Sequence, residues 1–349
     1  MESVRTPPPR GSRIRGSLLA GAVGDALGAS IEFDSLEAIR RGFGPEGLRD
    51  YAPAYGREAG AITDDTQMTL FVAEGLVLAA RAGALHRPPE RLRILHRAHL
   101  RWLHTQGVVA RHPSFPGVVQ EGWLLTLDGL HSPRAPGRTC LAGLRGERMG
   151  RMEQPLNTSK GCGGVMRVAP VGLALGVDDP FRLGCEVAAL THGHPTGYLA
   201  AGFLAQVVRD LVTGGELRDA CGEAIDELRR WPGHEETVNA VEQALALAAE
   251  GSPPGPEAVE TLGGGGVAEQ ALAIALYCAL VAPTIEAALL LAVNHGGDSD
   301  STGAIAGQLV GACYGDESIP PRWLARLELR DAIERVAEAL CVETGANVT

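Results

Sequence analysis

Gly16, Ala20 and Gly24 recur one helical turn apart in the stretch "IRGSLLAGAVGDALGASIEF", Ile14 to Phe33. A stripe of residues with almost no side chain has one main use on a helix, which is to let a second helix backbone come close. A chain organised around such a stripe is committed to helix-on-helix packing. The apolar content agrees. Hydrophobic residues make up 45% of the chain but aromatics only 4%, so the core material is mostly Ala, Leu and Val, which favour close-packed helices over aromatic-rich strands. The expected fold class is all-α, a compact orthogonal multi-helix arrangement. Residues 1–11, rich in Pro and Arg, are expected to be a disordered N-terminal segment. With no long polar break, residues 12–345 are expected to be a single all-helical domain.

The first helix is expected from Ile14 to Phe33, a loop from Phe43 to Ala61, and a second helix opened by Thr63 or Asp64 as N-cap. The stretch from Val109 to Asn157 reads as irregular, with short helices at most, and Pro321 to Cys341 as one last amphipathic helix. A net charge of −11 opposes nucleic-acid binding through a general electrostatic footprint. Seven cysteines without a CxxC pair suit reduced thiols and a cytoplasmic protein. The N-terminus has no apolar signal core, and the longest apolar run, Ala271 to Ala282, is shorter than the roughly 20 residues a membrane span needs. No membrane partner is expected.

Two helix starts carry far more oxygen than capping requires. In "HGGDSDSTGAIAGQ", His295 to Gln308, Asp298 and Asp300 stand two apart with Ser299, Ser301 and Thr302 beside them, an array suited to a hard divalent cation. Asp298, Asp300, Thr302 and Gly303 also fall on the first, third, fifth and sixth positions of an EF-hand loop. Leu309 occupies the twelfth, where a bidentate Glu is needed, so that reading fails. "ITDDTQM", Ile62 to Met68, repeats the chemistry with Thr63, Asp64 and Asp65. One carboxylate suffices to cap a helix, and two adjacent ones repel, so a cation explains the pair better. Glu32 follows Asp25 by two helical turns, which would put both on one face of the first helix. Asp25, inside an apolar run, reads as a buried structural carboxylate bonded to backbone amides. Glu32, Asp64, Asp65, Asp298 and Asp300 sum to −5, which two divalent ions nearly neutralise and one does not. A binuclear Mg²⁺ or Mn²⁺ centre at helix termini, with ions about 3.5–4 Å apart, is therefore expected.

The motifs "GAVGDALGASIEF", "ITDDTQMT", "SKGCGGVMRVAPVGL", "THGHPTGY" and "HGGDSDSTGAIAGQLVGACYG", in this order, resemble those of the ADP-ribosylglycohydrolase family, from about Ile14 to Gly315. The resemblance implies an all-α fold around two Mg²⁺ or Mn²⁺ ions, and hydrolysis of the glycosidic bond between ADP-ribose and a modified side chain of arginine or serine type. It implies metal binding by Thr63, Asp64 and Asp65 from one helix start and by Asp298, Asp300 and Ser301 from another. Glu32 matches the family's mobile catalytic glutamate, and Asp65 is the second candidate for general acid or base. The glycine-rich Lys160, Gly161, Cys162, Gly163 and Gly164, together with His192, Gly297 and Ser299, would contact substrate, with backbone amides for a pyrophosphate. Cys162 stands where family members often have Asn and reads as a packed small residue. His194 has no assigned task. Gly266 stands where an aromatic is expected after three glycines.

The implied partner is an ADP-ribosylated protein, with ADP-ribose as product. ADP-ribosylated nucleic acid, a small ADP-ribosylated molecule, a phosphodiester or phosphoanhydride cut by the same metals, and a silent ADP-ribose-binding module are the competing readings.

Overall fold

The computed structural model describes residues 7–118 and 121–345, so most of the expected disordered segment, residues 1–6, lies outside the described residues. Among the described residues seventeen α-helices follow one another, and only isolated bridges take the place of strands. They are α1 (Arg10–Gly28), α2 (Leu36–Phe43), α3 (Asp64–Arg81), α4 (Pro88–Thr105), α5 (Phe115–Val118) and α6 (Arg138–Arg145) in the first half. Then come α7 (Ala169–Leu173), α8 (Pro180–Ala189), α9 (Pro195–Val212), α10 (Leu217–Leu228), α11 (Glu235–Ala249) and α12 (Pro256–Glu260). The chain finishes with α13 (Ala268–Val281), α14 (Ile285–Val293), α15 (Ser299–Tyr314), α16 (Pro321–Leu324) and α17 (Arg330–Glu343).

The small-residue stripe does what its spacing requires. Along α1, Gly16, Ala20, Gly24 and Gly28 face Gly303, Gly307 and Gly311 of α15, and the two backbones touch. A β-carbon on Gly24 would sit 2.0 Å from the Gly303 carbonyl oxygen, one on Gly307 2.1 Å from that of Ala20, and one on Gly311 2.1 Å from that of Gly16. Both helices are buried on nearly every side, so they form the centre of the fold and show no polar face. Around them pack α14, α13 and α9 on one flank and α3 and α17 on the other. Since backbone cannot yield as a side-chain tip can, Gly307→Val is expected to cost about 1–3 kcal/mol or more, read as a lower urea midpoint. An unchanged midpoint would show that the contact is not tight.

Several boundaries differ from expectation. Helix α1 begins at Arg10, inside the segment read as disordered, and ends at Gly28, not Phe33. Glu32 therefore lies beyond the helix on a turn, in which Ile31 N–H donates to the Gly28 carbonyl and Asp34 N–H to that of Ile31. It does not share a helical face with Asp25. The short amphipathic α2 starts there, its N-cap Ser35 accepting from Ala38 N–H. The expected last helix is split into α16 and α17 because Leu329 adopts a left-handed conformation, φ 56°. His194 caps α9, its ring accepting from Thr196 N–H at 3.2 Å, a task its sequence context did not reveal.

Candidate active site

The crossing of α1 and α15 sets the positions of the two acidic helix starts. A β-carbon on Gly28 would meet the Asp300 amide nitrogen at 2.4 Å, so the end of α1 lies against the first turn of α15. From α1, the fully buried Asp25 reaches the start of α3, accepting from the amides of Thr63 (3.0 Å) and Thr66 (3.1 Å) and from the Thr66 hydroxyl. Burial pushes its carboxyl up to about 6. This is the structural role that its apolar context suggested. It satisfies helix-terminal amides from outside α3, so the carboxylates of the helix start are not needed for that purpose.

The remaining carboxylates converge. Oxygens of Glu32, Asp298 and Asp300 lie within 4.8 Å of one another. Asp298 is the N-cap residue of α15, yet its side chain makes no capping hydrogen bond. Asp65 is buried, and its Oδ1 has no hydrogen-bond partner. Asp64 Oδ2 accepts from Gly137 N–H at 3.1 Å. Among the described residues no ion pair neutralises Glu32, Asp64, Asp65, Asp298 or Asp300. Burial, reinforced by mutual repulsion, holds Asp64, Asp65 and Asp300 well above the ordinary carboxylate range. Glu32, half-buried, is raised to about 7 by burial and then by Asp298 and Asp25. A buried orphan oxygen beside uncapped, unpaired carboxylates is the donor set of a divalent cation, and the residues fit one.

The glycine-rich loop forms the adjoining wall. Cys162 Sγ is 3.1 Å from Asp298 Oδ2, and the Ser301 hydroxyl lies 3.6 Å from the same sulfur. Burial pushes the thiol well up, in keeping with a packed residue and not an activated nucleophile. The loop is pinned from both sides. Cys162 N–H donates to the Gly266 carbonyl and Ala268 N–H to that of Lys160. Beneath it the fully buried Arg167 donates to the Gly163 carbonyl at 2.6 Å and to Thr191 Oγ1 at 2.7 Å. His192 is buried under the same loop, bonded through Nδ1 to Thr191 Oγ1 at 2.8 Å, and burial lowers its imidazole to about 3, so it is neutral.

Three expected substrate contacts have other tasks. Lys160 Nζ is held between Glu269 (2.6 Å) and Glu236 (2.8 Å), which already neutralise it. Ser299 is fully buried, its hydroxyl donating to the Gly28 carbonyl at 3.3 Å. Gly297 packs on the glycine run, where a β-carbon would lie 2.0 Å from the Gly264 carbonyl oxygen, and its own carbonyl accepts from Phe33 N–H at 2.7 Å. That bond ties the Glu32 turn to α15. The irregular segment supplies residues the sequence did not suggest: the Arg134 carbonyl accepts from Asp64 N–H, and Arg134 pairs with Glu328, which in turn accepts from Ile62 N–H. Tyr55 and Phe33, both in left-handed conformations, are exposed aromatics, Phe33 next to Glu32 and Tyr55 under the ring-to-guanidinium contact of Arg134.

Comparison with known proteins bears on this arrangement. The family profile described as ADP-ribosylglycohydrolase matches residues 6–348. The ADP-ribosyl-[dinitrogen reductase] glycohydrolase of Rhodospirillum rubrum is 29% identical over 97% of this chain and 99% of its own length. The ADP-ribosylarginine hydrolase Tri1 of Pseudomonas putida is 25% identical over 96% of this chain and 79% of its own. A solved structure titled "ADP-ribosylglycohydrolase-related protein complex" superposes with a TM-score of 0.67 at 28% identity, covering 96% of this chain and 99% of that one. A helical fold of this kind, with relatives of these names, is that of a hydrolase that cleaves glycosidic bonds. The chain belongs to the ADP-ribosylglycohydrolase family.

Proposed function

We propose that the protein removes ADP-ribose from a modified side chain, with a pair of Mg²⁺ or Mn²⁺ ions held in the acidic cleft. The observation that carries this reading is the convergence of Glu32, Asp298 and Asp300 beside the partnerless Asp65 Oδ1. Thr63, Asp64 and Asp65 would hold the ions from α3, and Asp298, Asp300 and Ser301 from α15. Bound there, divalent cations supply Lewis-acid polarisation of substrate oxygens and charge neutralisation.

The chain's own groups account for the rest. Glu32, on the turn beside the cluster, can deliver a proton to the leaving group as the glycosidic bond breaks, and its carboxylate can then accept one from water. Asp65 is the alternative proton carrier. With Lys160 neutralised by Glu236 and Glu269, and the amides of Gly161 and Cys162 donating to Ser159 Oγ and the Gly266 carbonyl, pyrophosphate recognition falls to the amides of Gly163 and Gly164, held in shape by Arg167. The name of the Pseudomonas putida relative, an ADP-ribosylarginine hydrolase, favours an arginine-linked substrate.

The test is ADP-ribose release, followed by liquid chromatography, from arginine-linked and serine-linked substrates, each with Mg²⁺ and with EDTA. Metal-dependent release from the arginine-linked substrate is expected. AMP in place of ADP-ribose would reassign the scissile bond to the phosphoanhydride. No product, with ADP-ribose still bound in a calorimeter, would leave a binding module or a substrate other than protein.

A further inference from the structure

We infer that Cys162 is itself a metal ligand, adding a soft sulfur donor to the oxygen cradle and so raising the affinity of the site for thiophilic divalent ions such as Zn²⁺ or Cd²⁺ relative to Mg²⁺. The inference rests on the reading of the acidic cleft as a cation site. The Cys162 thiol donates to Asp298 Oδ2 at 3.1 Å and its sulfur accepts from the Ser301 hydroxyl at 3.6 Å, so a metal would take the place of the thiol proton. Metal–sulfur and metal–oxygen bonds of about 2.3 and 2.1 Å place their two donors roughly 3.1 Å apart at a right angle and roughly 3.6 Å apart at a tetrahedral one. Both separations therefore match donors sharing one ion. The backbone that carries the sulfur is fixed, because Cys162 N–H is bonded to Gly266 and the Cys162 carbonyl accepts from Val165 and Met166 N–H.

A second, independent feature points to the same place. Asp65 is 2% exposed, its Oδ1 lacks a partner, and its carboxylate faces Ser301, the hydroxyl that touches Cys162. An ion between α3 and α15 would satisfy that oxygen and bring it within reach of the sulfur's coordination sphere. Met166 adds a second soft atom to this wall, its Sδ lying 3.9 Å from Ser301 Oγ. Binding breaks the S–H bond, forms a sulfur–metal bond and releases the proton to solvent, with no change of oxidation state. Thiolate ligands select softer ions, whereas carboxylates alone suit Mg²⁺ and Mn²⁺.

The experiment titrates the full chain, stripped with chelator and desalted, with Cd²⁺ and separately with Mg²⁺. It reads the ultraviolet sulfur-to-cadmium charge-transfer band and the melting temperature. Wild type is compared with Cys162→Ser, Cys162→Asn and, as a control for the other partly exposed thiol, Cys313→Ser. A saturable band is expected in wild type and Cys313→Ser and none in the Cys162 variants, which still melt higher with Mg²⁺. The Cd²⁺-to-Mg²⁺ affinity ratio should fall on the order of 10–100-fold in the Cys162 variants. A band that survives Cys162→Ser overturns the inference, as does a wild type that Cd²⁺ stabilises without any band; both leave the cation site standing. If neither ion raises the melting temperature of any form, the cation site fails and this inference with it.

Discussion

Asp65→Asn is expected to lower the rate of ADP-ribose release by about 10²–10⁴-fold, the range for removing a proton-transferring or transition-state group, while the metal-free variant melts higher than metal-free wild type at neutral pH. The two halves of that outcome have one cause. Asp65 is a buried carboxylate with a partnerless oxygen facing other carboxylates. Charging it without a cation opposes folding, and an amide of the same shape removes that opposition. Asp300→Asn should behave alike, since its carboxyl is held up by burial and by Asp65.

The pH dependence has a definite sign. Groups whose folded pKa lies above the unfolded value bind more protons in the native state, so stability falls as pH rises. For Glu32 the contribution is fully present below about pH 4 and is lost as pH rises through its folded value of about 7. Melting curves of EDTA-treated protein from acid to neutral pH should show this decline, and saturating Mg²⁺ should flatten it. If both variants instead lost cooperative folding, the aspartates would be caps and not ligands.

Glu74→Ala should be the most destabilising single change, about 3–5 kcal/mol by urea denaturation. Glu74 Oε2 accepts from the Arg101 guanidinium at 2.9 and 3.1 Å, and Arg101 is fully buried. Removing the carboxylate leaves that cation only its 3.2 Å pair with the partly exposed Glu121. The same side chain uses Oε1 to accept from the amides of Trp123 (2.7 Å) and Leu124 (3.0 Å), so the variant also releases the loop that leads to Arg134 and Gly137. Those residues position Asp64, and activity should therefore fall together with stability. A loss below about 1 kcal/mol, the size of an exposed ion pair, would show that water reaches Arg101 in the native state.

The central helices and both acidic motifs were legible in the sequence because they depend on local periodicity. Gly16, Ala20 and Gly24 announce a close helix contact, and "TDDT" and "DSDST" announce helix starts with surplus oxygen. The partner of each feature was not legible, because pairing across tens to hundreds of residues leaves no local trace. Nothing near Arg134 marks it as a support for Asp64, and nothing near Ser299 shows that its hydroxyl is engaged by the Gly28 carbonyl. Helix ends were misplaced where a single residue decides: Leu329 in a left-handed conformation divides the last helix, and a leucine carries no signal for it. Lys160 reads in the sequence as a substrate contact because its glutamate partners lie 76 and 109 residues away.

The backbone contact between α1 and α15 also bears on how such a chain can change over generations. Most interiors drift by trading methyl groups between neighbours, a larger residue here for a smaller one there. At Gly24, Gly303, Gly307 and Gly311 there is no side chain to trade and no gap to receive one. Drift at the seam is thus closed in both directions, and the acidic cradle it fixes is insulated from it. Novelty in what the protein accepts has to come from segments such as Phe43 to Ala61 and Val109 to Asn157, at positions other than those, like Arg134 and Gly137, that hold a carboxylate in place.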